Sequence, residues 1–102
     1  MNINPFDMLK NAQQIQAQMG VFQEKLGNIQ AMGSSGGGMV EIDMNGRMEV
    51  LGVRISPEVM DDRDMLQDLV CAAFNSVMEK IREAISQEMG AMAGMGMFGL
   101  SP

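Results

Sequence analysis

Residues 39–55 read MVEIDMNGRMEVLGVRI, and this stretch decides the fold. Apolar residues and acids alternate from Val40 to Met44, which is the pattern of a half-buried β-strand. The Asn45-Gly46 pair that follows is the strongest short signal for a tight hairpin turn, and the residues after it supply the return strand. The stretch therefore predicts an antiparallel β-hairpin or small sheet.

The register of this hairpin has two solutions. A two-residue turn pairs Met44 with Arg47, which brings a charged residue onto the apolar face. Either a β-bulge near Leu51-Gly52 restores the apolar pattern, or the tip of the hairpin is packed on both sides. The sequence leaves both solutions open.

A long helix is predicted before the hairpin. Asn4-Pro5 is a helix start, with Asn as the cap and Pro at the first helical position. Apolar residues then recur at intervals of four and three, as in a coiled-coil seam: Met8, Ala12, Ile15, Met19, Phe22, Leu26 and Ile29. A helix over residues 5–32 would be about 42 Å long. One small domain can hardly cover it, so we expect a homodimer at micromolar concentration and a buried Phe22 at the centre of the seam.

A glycine-rich stretch, residues 33–38, separates the predicted helix from the hairpin. A phosphate-binding loop needs a Lys-Ser/Thr pair leading into a helix, whereas here no Lys follows and the next element is a strand. We interpret the stretch as a flexible linker.

A second long helix is predicted after the hairpin. Ser56-Pro57 ends the strand, and three carboxylates then precede the helix, where they cap it and suit its dipole: Asp61, Asp62 and Asp64. A broad apolar stripe follows at helical spacing: Leu66, Leu69, Val70, Ala73, Val77, Ile81, Ala84 and Ile85. Cys71 lies in this apolar run, so we expect it to be a buried structural thiol.

The last residues have no hydrophobic period. From Gly90 the chain is mostly Met, Gly and Ala, and we interpret residues 90–102 as a flexible Met/Gly-rich tail. Residues 1–89 are then a single α+β domain with the order helix, hairpin, helix. The 14 methionines fit either core filling or an adaptable apolar binding surface.

The composition excludes most enzyme classes. The chain has no His and a single Cys, so neither the commonest general base nor a disulfide framework is available. Glu41 and Asp43 alternate with apolar residues, which indicates a solvated strand face rather than acid–base or metal chemistry. We therefore expect a binding protein, not an enzyme, with no cofactor, no metal and no small-molecule substrate. Neither a signal peptide nor a membrane-spanning run is evident, so the cytoplasm is the expected location.

The net charge of −6 is unevenly distributed. Residues 1–33 carry two acids and two lysines and are neutral, whereas residues 61–88 carry seven acids against three cations. The first helix is therefore the segment best able to approach a polyanion.

Several short motifs together resemble one family. They are Met8-Leu9-Lys10-Asn11-Ala12-Gln13-Gln14, Gly36-Gly37-Gly38-Met39-Val40, Asn45-Gly46, Val53-x-Ile55-x-Pro57-Glu58 and Leu66-x-Asp68-Leu69-Val70-x-Ala72-Ala73-Phe74-Asn75. The chain resembles the YbaB/EbfC family of small bacterial nucleoid-associated proteins over roughly residues 6–90. The resemblance implies an α+β homodimer with projecting helical arms that binds double-stranded DNA at the nucleoid, with little or no sequence preference.

If the chain binds DNA, phosphate contacts should come from the least acidic surface. The first candidates are Lys10 and Lys25 on the first helix, and Lys80 and Arg82 on the second helix come next. Uncharged donors to phosphate are also available on the first helix: Gln13, Gln14 and Gln16. The alternative is a prefoldin-like holdase or protein–protein adaptor, whose coiled-coil arms and Met-rich surfaces would grip apolar clients.

Overall fold

The computed structural model describes residues 4–94, and side chains over residues 4–91. The elements in chain order are helix α1 (Pro5–Asn28), strands β1 (Gln30–Ser35), β2 (Val40–Asn45) and β3 (Val50–Ile55), a 3₁₀ turn (Pro57–Val59) and helix α2 (Arg63–Gly94). The strands form one antiparallel sheet in the order β1-β2-β3. The predicted α+β class with two long helices is confirmed.

Strand β1 lies where a helix end and a linker are predicted. Residues 30–32 were expected to end the first helix and residues 33–35 to belong to a linker, yet all six pair with β2, from Gln30 opposite Asn45 to Ser35 opposite Val40. The composition of this segment, QAMGSS, has no strand signal of its own. It is a strand because β2 offers it hydrogen bonds and α2 covers it.

The glycine run is therefore a hairpin turn and not a flexible linker. Gly36, Gly37 and Gly38 all have positive φ, at 60°, 68° and 97°. Only glycine adopts three such conformations in succession without steric cost. The Gly38 N–H donates to the Ser35 carbonyl at 3.1 Å and closes the turn.

The turn between β2 and β3 is longer than predicted. The Asn45 N–H donates to the Glu49 carbonyl at 3.1 Å, so residues 46–49 form the loop. The Asn45 Oδ1 accepts from the N–H groups of Arg47 and Glu49, at 3.0 and 3.1 Å. This side chain organises the loop from inside, which is a local role that Asn favours.

The bulge near Leu51 is the correct one of the two register solutions. Met44 lies opposite Val50 and Asp43 opposite Gly52, which leaves Leu51 as the extra residue. The longer turn and the bulge together keep charged residues out of the apolar ladder. The inner face of β3 then carries Val50, Val53 and Ile55, each opposite an apolar residue of β2.

The core lies between one face of the sheet and α2. Its buried members alternate along β2 and recur at four-residue intervals on α2: Val40, Ile42, Met44, Ala73, Val77 and Ile81. The Ser35 hydroxyl donates to the Leu69 carbonyl at 2.6 Å and ties β1 to the helix. A core of this size provides limited stability for the chain alone.

Helix α1 leaves the body of the protein as an arm. The Asn4 side chain accepts from the Phe6 N–H at 3.0 Å, as expected of the predicted cap. None of the residues of α1, all of which the structure describes, is buried. Met8 and Met19 are 59% and 60% exposed, and Phe22, expected to be buried, is only half-buried. A single chain therefore leaves the predicted seam largely uncovered, in a molecule measuring 69 × 31 × 18 Å.

Helix α2 is longer than predicted, and its cysteine is exposed. The Asp62 side chain accepts from the Met65 N–H at 3.1 Å, which agrees with the expected carboxylate cap. The helix continues to Gly94, past the boundary expected at residue 89, and residues 95–102 of the predicted tail lie outside the described residues. Cys71 is exposed rather than buried. It lies about 160° around the helix axis from buried Ala73, because the sheet covers only one side of α2.

Candidate nucleic-acid interface

The cation of β3 is fully engaged by carboxylates. The Arg54 guanidinium binds Asp43 through two bonds of 2.6 and 3.1 Å, and its Nε lies 3.2 Å from Glu41. The hydrogen bond from Arg54 lowers the pKa of Asp43, and the bonds with Asp43 and then Glu41 raise the pKa of Arg54. Glu41 and Asp43 thus lie on a polar outer sheet face, and Arg54 has no free charge to offer a phosphate.

Arg47, in the turn between β2 and β3, is also paired. Its Nε lies 3.2 Å from Glu49, and its guanidinium lies against the backbone of α1 at Gly27. Sequence reasoning did not connect Arg47 with the arm, because 20 positions separate it from Gly27 and only the tertiary structure brings the two together.

The remaining cations have no such partners. Among residues 4–91, no ion pair involves the two lysines of α1 or the three cations of α2, which are Lys10, Lys25, Arg63, Lys80 and Arg82. All are exposed except Lys25, which is half-buried near the base of the arm. Because no carboxylate of the described residues lies within ion-pair distance of them, these are the cations best placed to bind an external phosphate.

Two of the predicted lysines share a face of α1. At about 100° per residue, Lys10, Gln14 and Lys25 fall within about 60° around the axis. The lysines are about 22 Å apart along it. We call these three residues the lysine face. Measured around the axis, Met8 and Met19 of the seam lie about 160° and 180° from Lys10 and about 100° and 120° from Lys25. A partner that covers these methionines would therefore leave the lysine face open.

The other predicted residues do not join this face. Gln13 and Gln16 are exposed on α1, but they lie on the other side of Lys10, about 120° and 180° around the axis from Lys25. Lys80 and Arg82 are exposed on α2, about 160° apart, so they point to opposite sides of that helix. The structure therefore brings together only part of the predicted set.

Neither a metal-binding cluster nor a membrane-spanning helix occurs among the described residues. No group of three or more His, Cys, Asp or Glu side chains there is arranged to hold a metal ion. Over the same residues, neither helix has a stretch long and apolar enough to cross a membrane.

Comparison with known proteins agrees with the resemblance seen in the sequence. The model of the YbaB/EbfC DNA-binding family matches residues 1–97. A nucleoid-associated protein of Chlorobium phaeobacteroides is 44% identical over 93 residues, covering 91% of this chain and 83% of the relative. One of Pelotomaculum thermopropionicum is 42% identical over 93 residues, covering 89% of each chain.

A solved structure shares the fold. The crystal structure of an uncharacterized protein from Helicobacter pylori superimposes with a TM-score of 0.71 at 20% identity, covering 90% of this chain and 99% of that one. The family match extends over nearly the whole chain, and the relatives exceed 40% identity over most of their length. The chain belongs to the YbaB/EbfC DNA-binding family.

Proposed function

We propose that the protein works as a homodimer that binds double-stranded DNA with little sequence preference, mainly through the lysine face of α1. Family membership and the names of its relatives already identify it as a DNA-binding, nucleoid-associated protein. One observation supports binding through the lysine face: α1 is an uncovered arm whose two lysines have no ion pair among the described residues. The proposed role involves no catalysis, cofactor or small-molecule substrate.

An uncovered apolar surface on β3 supports the homodimer. Val50, Val53 and Ile55 continue the inner face of the sheet, yet they remain 48%, 49% and 38% exposed. Helix α2 packs on β1 and β2 and does not extend over β3. Together with the seam of α1, this strand exposes apolar side chains of the kind that mark protein–protein contact surfaces. A second copy of the chain would bury it.

We expect Val53→Asp to weaken the dimer. A carboxylate buried without a partner costs more than about 1.4 kcal/mol, so the dimer dissociation constant should rise at least about tenfold. Sedimentation equilibrium measures this constant directly. The control is Met60→Asp, which adds the same charge at a site that is 59% exposed and lies outside β3, at the end of the 3₁₀ turn. If the Val53→Asp and Met60→Asp variants have the same dimer dissociation constant, β3 is not in the interface.

Low sequence preference follows from the type of contact. Lysine bonds to phosphate oxygens position a protein on DNA but carry no base information. Glutamine amides on α1 add uncharged donors to the same backbone, and two-fold symmetry would double the lysines to four. The neutral charge of residues 1–33 lets this arm approach DNA despite a chain charge of −6.

The direct test titrates two unrelated duplexes of equal length with the wild-type protein at two salt concentrations. About four phosphate contacts predict a slope of about −3.6 for log affinity against log salt. Affinity should therefore fall by about a hundredfold between 50 and 200 mM salt, and equally for both duplexes. Fluorescence anisotropy with end-labelled DNA gives both quantities. Failure to bind any duplex at low salt and micromolar protein would reject the proposal.

A second candidate, the holdase or adaptor, is favoured by the exposed seam. Met8, Ile15 and Met19 present flexible apolar side chains along one side of α1. A holdase should suppress aggregation of an unfolded client without DNA. Protein purified from cells without bound nucleic acid, as judged from its 260/280 nm absorbance ratio, would also favour this candidate.

A further inference from the structure

Little in the core fixes the direction of the arm. Helix α1 has no buried residue, and only Ile29 separates its last residue, Asn28, from β1. A helix joined to a sheet by one residue swings with the dihedral angles of that residue unless something else holds it. The element that contacts the base of α1 is the end of β2 and the turn that follows.

Gly46 in this turn donates hydrogen bonds to carbonyls at the C-terminal end of the arm. Its N–H lies 2.9 Å from the carbonyl oxygens of both Leu26 and Ile29. The Leu26 carbonyl also accepts from the Ile29 N–H at 3.2 Å, so the turn adds a second hydrogen bond to it and supplies a donor for the Ile29 carbonyl. The approach is close: a Cβ at Gly46 would lie 2.6 Å from the Leu26 oxygen.

The guanidinium of Arg47 completes this contact. A Cβ at Gly27 would lie 2.6 Å from a terminal nitrogen of Arg47 and 2.9 Å from its Cζ. The cation therefore lies directly on the last turn of α1, where the helix dipole favours positive charge. Glu49 orients it, with Oε1 3.2 Å from the Arg47 Nε and 2.9 Å from the Asn45 Nδ2.

We propose that residues 45–49 form a clamp that sets the angle of α1, and that Arg47 is a positioning residue for DNA binding rather than a phosphate contact. The inference rests on the proposed DNA-binding function. A held arm presents the lysine face in one orientation before DNA arrives. A loose arm must be ordered during binding, which lowers affinity without removing any phosphate contact.

Gly27→Ala tests the clamp without changing any charge. The added methyl group occupies the place of the guanidinium, which is the end of a flexible side chain and moves away at little cost. Alanine also favours the helix over glycine, so the melting temperature should not fall. The matched control is Gly20→Ala, seven residues earlier on the same face, where a Cβ would meet nothing within 4 Å.

The arm angle is measured by electron–electron distance spectroscopy between spin labels on the exposed Cys71 and on a cysteine placed by Asn11→Cys. Labelled chains are mixed with an excess of unlabelled Cys71→Ala chains, so that distances within one chain dominate. We expect Gly27→Ala and Arg47→Gln to shift or broaden the distance distribution by several ångströms, and Gly20→Ala to leave it as in the wild type. An unchanged distribution in Gly27→Ala would overturn the clamp.

DNA binding tests the positioning role. Gly27→Ala and Arg47→Gln should each weaken duplex binding by about three- to tenfold at every salt concentration, with the salt slope unchanged. If Arg47 contacted phosphate directly, Arg47→Gln would instead reduce the slope by about one per contact, and Gly27→Ala would bind like the wild type. That result would overturn the positioning role. If the wild type binds no duplex, the proposed function fails, and the distances alone decide whether the clamp exists.

Discussion

Gly33→Ala should cost the protein about 3 kcal/mol or more of its free energy of unfolding. A Cβ at Gly33 would overlap the backbone nitrogen of Val77 and lie 2.6 Å from the Ala73 carbonyl oxygen. Both groups belong to the backbone of α2, which cannot move aside as a side chain can. Either β1 must separate from β2, or α2 must lift from the sheet and open the core. Urea denaturation followed by circular dichroism measures the loss.

The control for this experiment is again Gly20→Ala, in the exposed arm. The Cβ position there is empty to 4 Å, so alanine should gain up to about 1 kcal/mol from its helix propensity. The same substitution should thus lower the free energy of unfolding at Gly33 and raise it at Gly20. Wild-type stability in Gly33→Ala would mean that β1 does not pack against α2.

Reversing both lysines of the lysine face should produce the largest change in DNA binding. Lys10→Glu with Lys25→Glu changes each chain by four charge units and a homodimer by eight. Attraction to phosphate becomes repulsion on the surface proposed to contact DNA, so affinity at low salt should fall by at least about tenfold. The loss should be equal for unrelated duplexes, because phosphate contacts carry no base information. Fluorescence anisotropy gives the affinity.

Two controls separate position from net charge. Lys80→Glu with Arg82→Glu makes the same charge change on α2, where the two side chains point apart, and should weaken binding less. Lys10→Arg with Lys25→Arg keeps the charge and should bind like the wild type. The circular dichroism spectrum should be unchanged in all three variants, since these side chains lie outside the core. Equal losses in the two Glu pairs would show that α1 is not the preferred surface.

Local sequence signals determined the helices and the hairpin. Asn4 and Asp62 cap their helices with the hydrogen bonds that their positions predicted. Alternation from Val40 to Met44 located the central strand. The misfit of charged residues after the turn raised the bulge as one of two solutions, and the structure selected it. Each of these features depends on neighbours within a few positions along the chain, so it can be predicted from one sequence.

The lysines of the arm could also be predicted as phosphate contacts from the sequence, because the charge balance of a segment is read directly from its residues. Helix periodicity also predicted that Lys10 and Lys25 share a face, and it separates Lys80 from Arg82. The tertiary structure decided whether that face is covered. It leaves all of α1 without a buried residue, which keeps both lysines accessible.

Only the tertiary structure decided β1, the exposure of Cys71 and the contact between Arg47 and Gly27. The segment QAMGSS has no strand propensity to detect, and it becomes a strand because β2 supplies hydrogen bonds and α2 approaches to within contact of Gly33. Cys71 lies within an apolar run, but the sheet covers one side of α2 and leaves the cysteine in water. In each case the deciding partner is far away in the chain, and long-range packing overrides local preference.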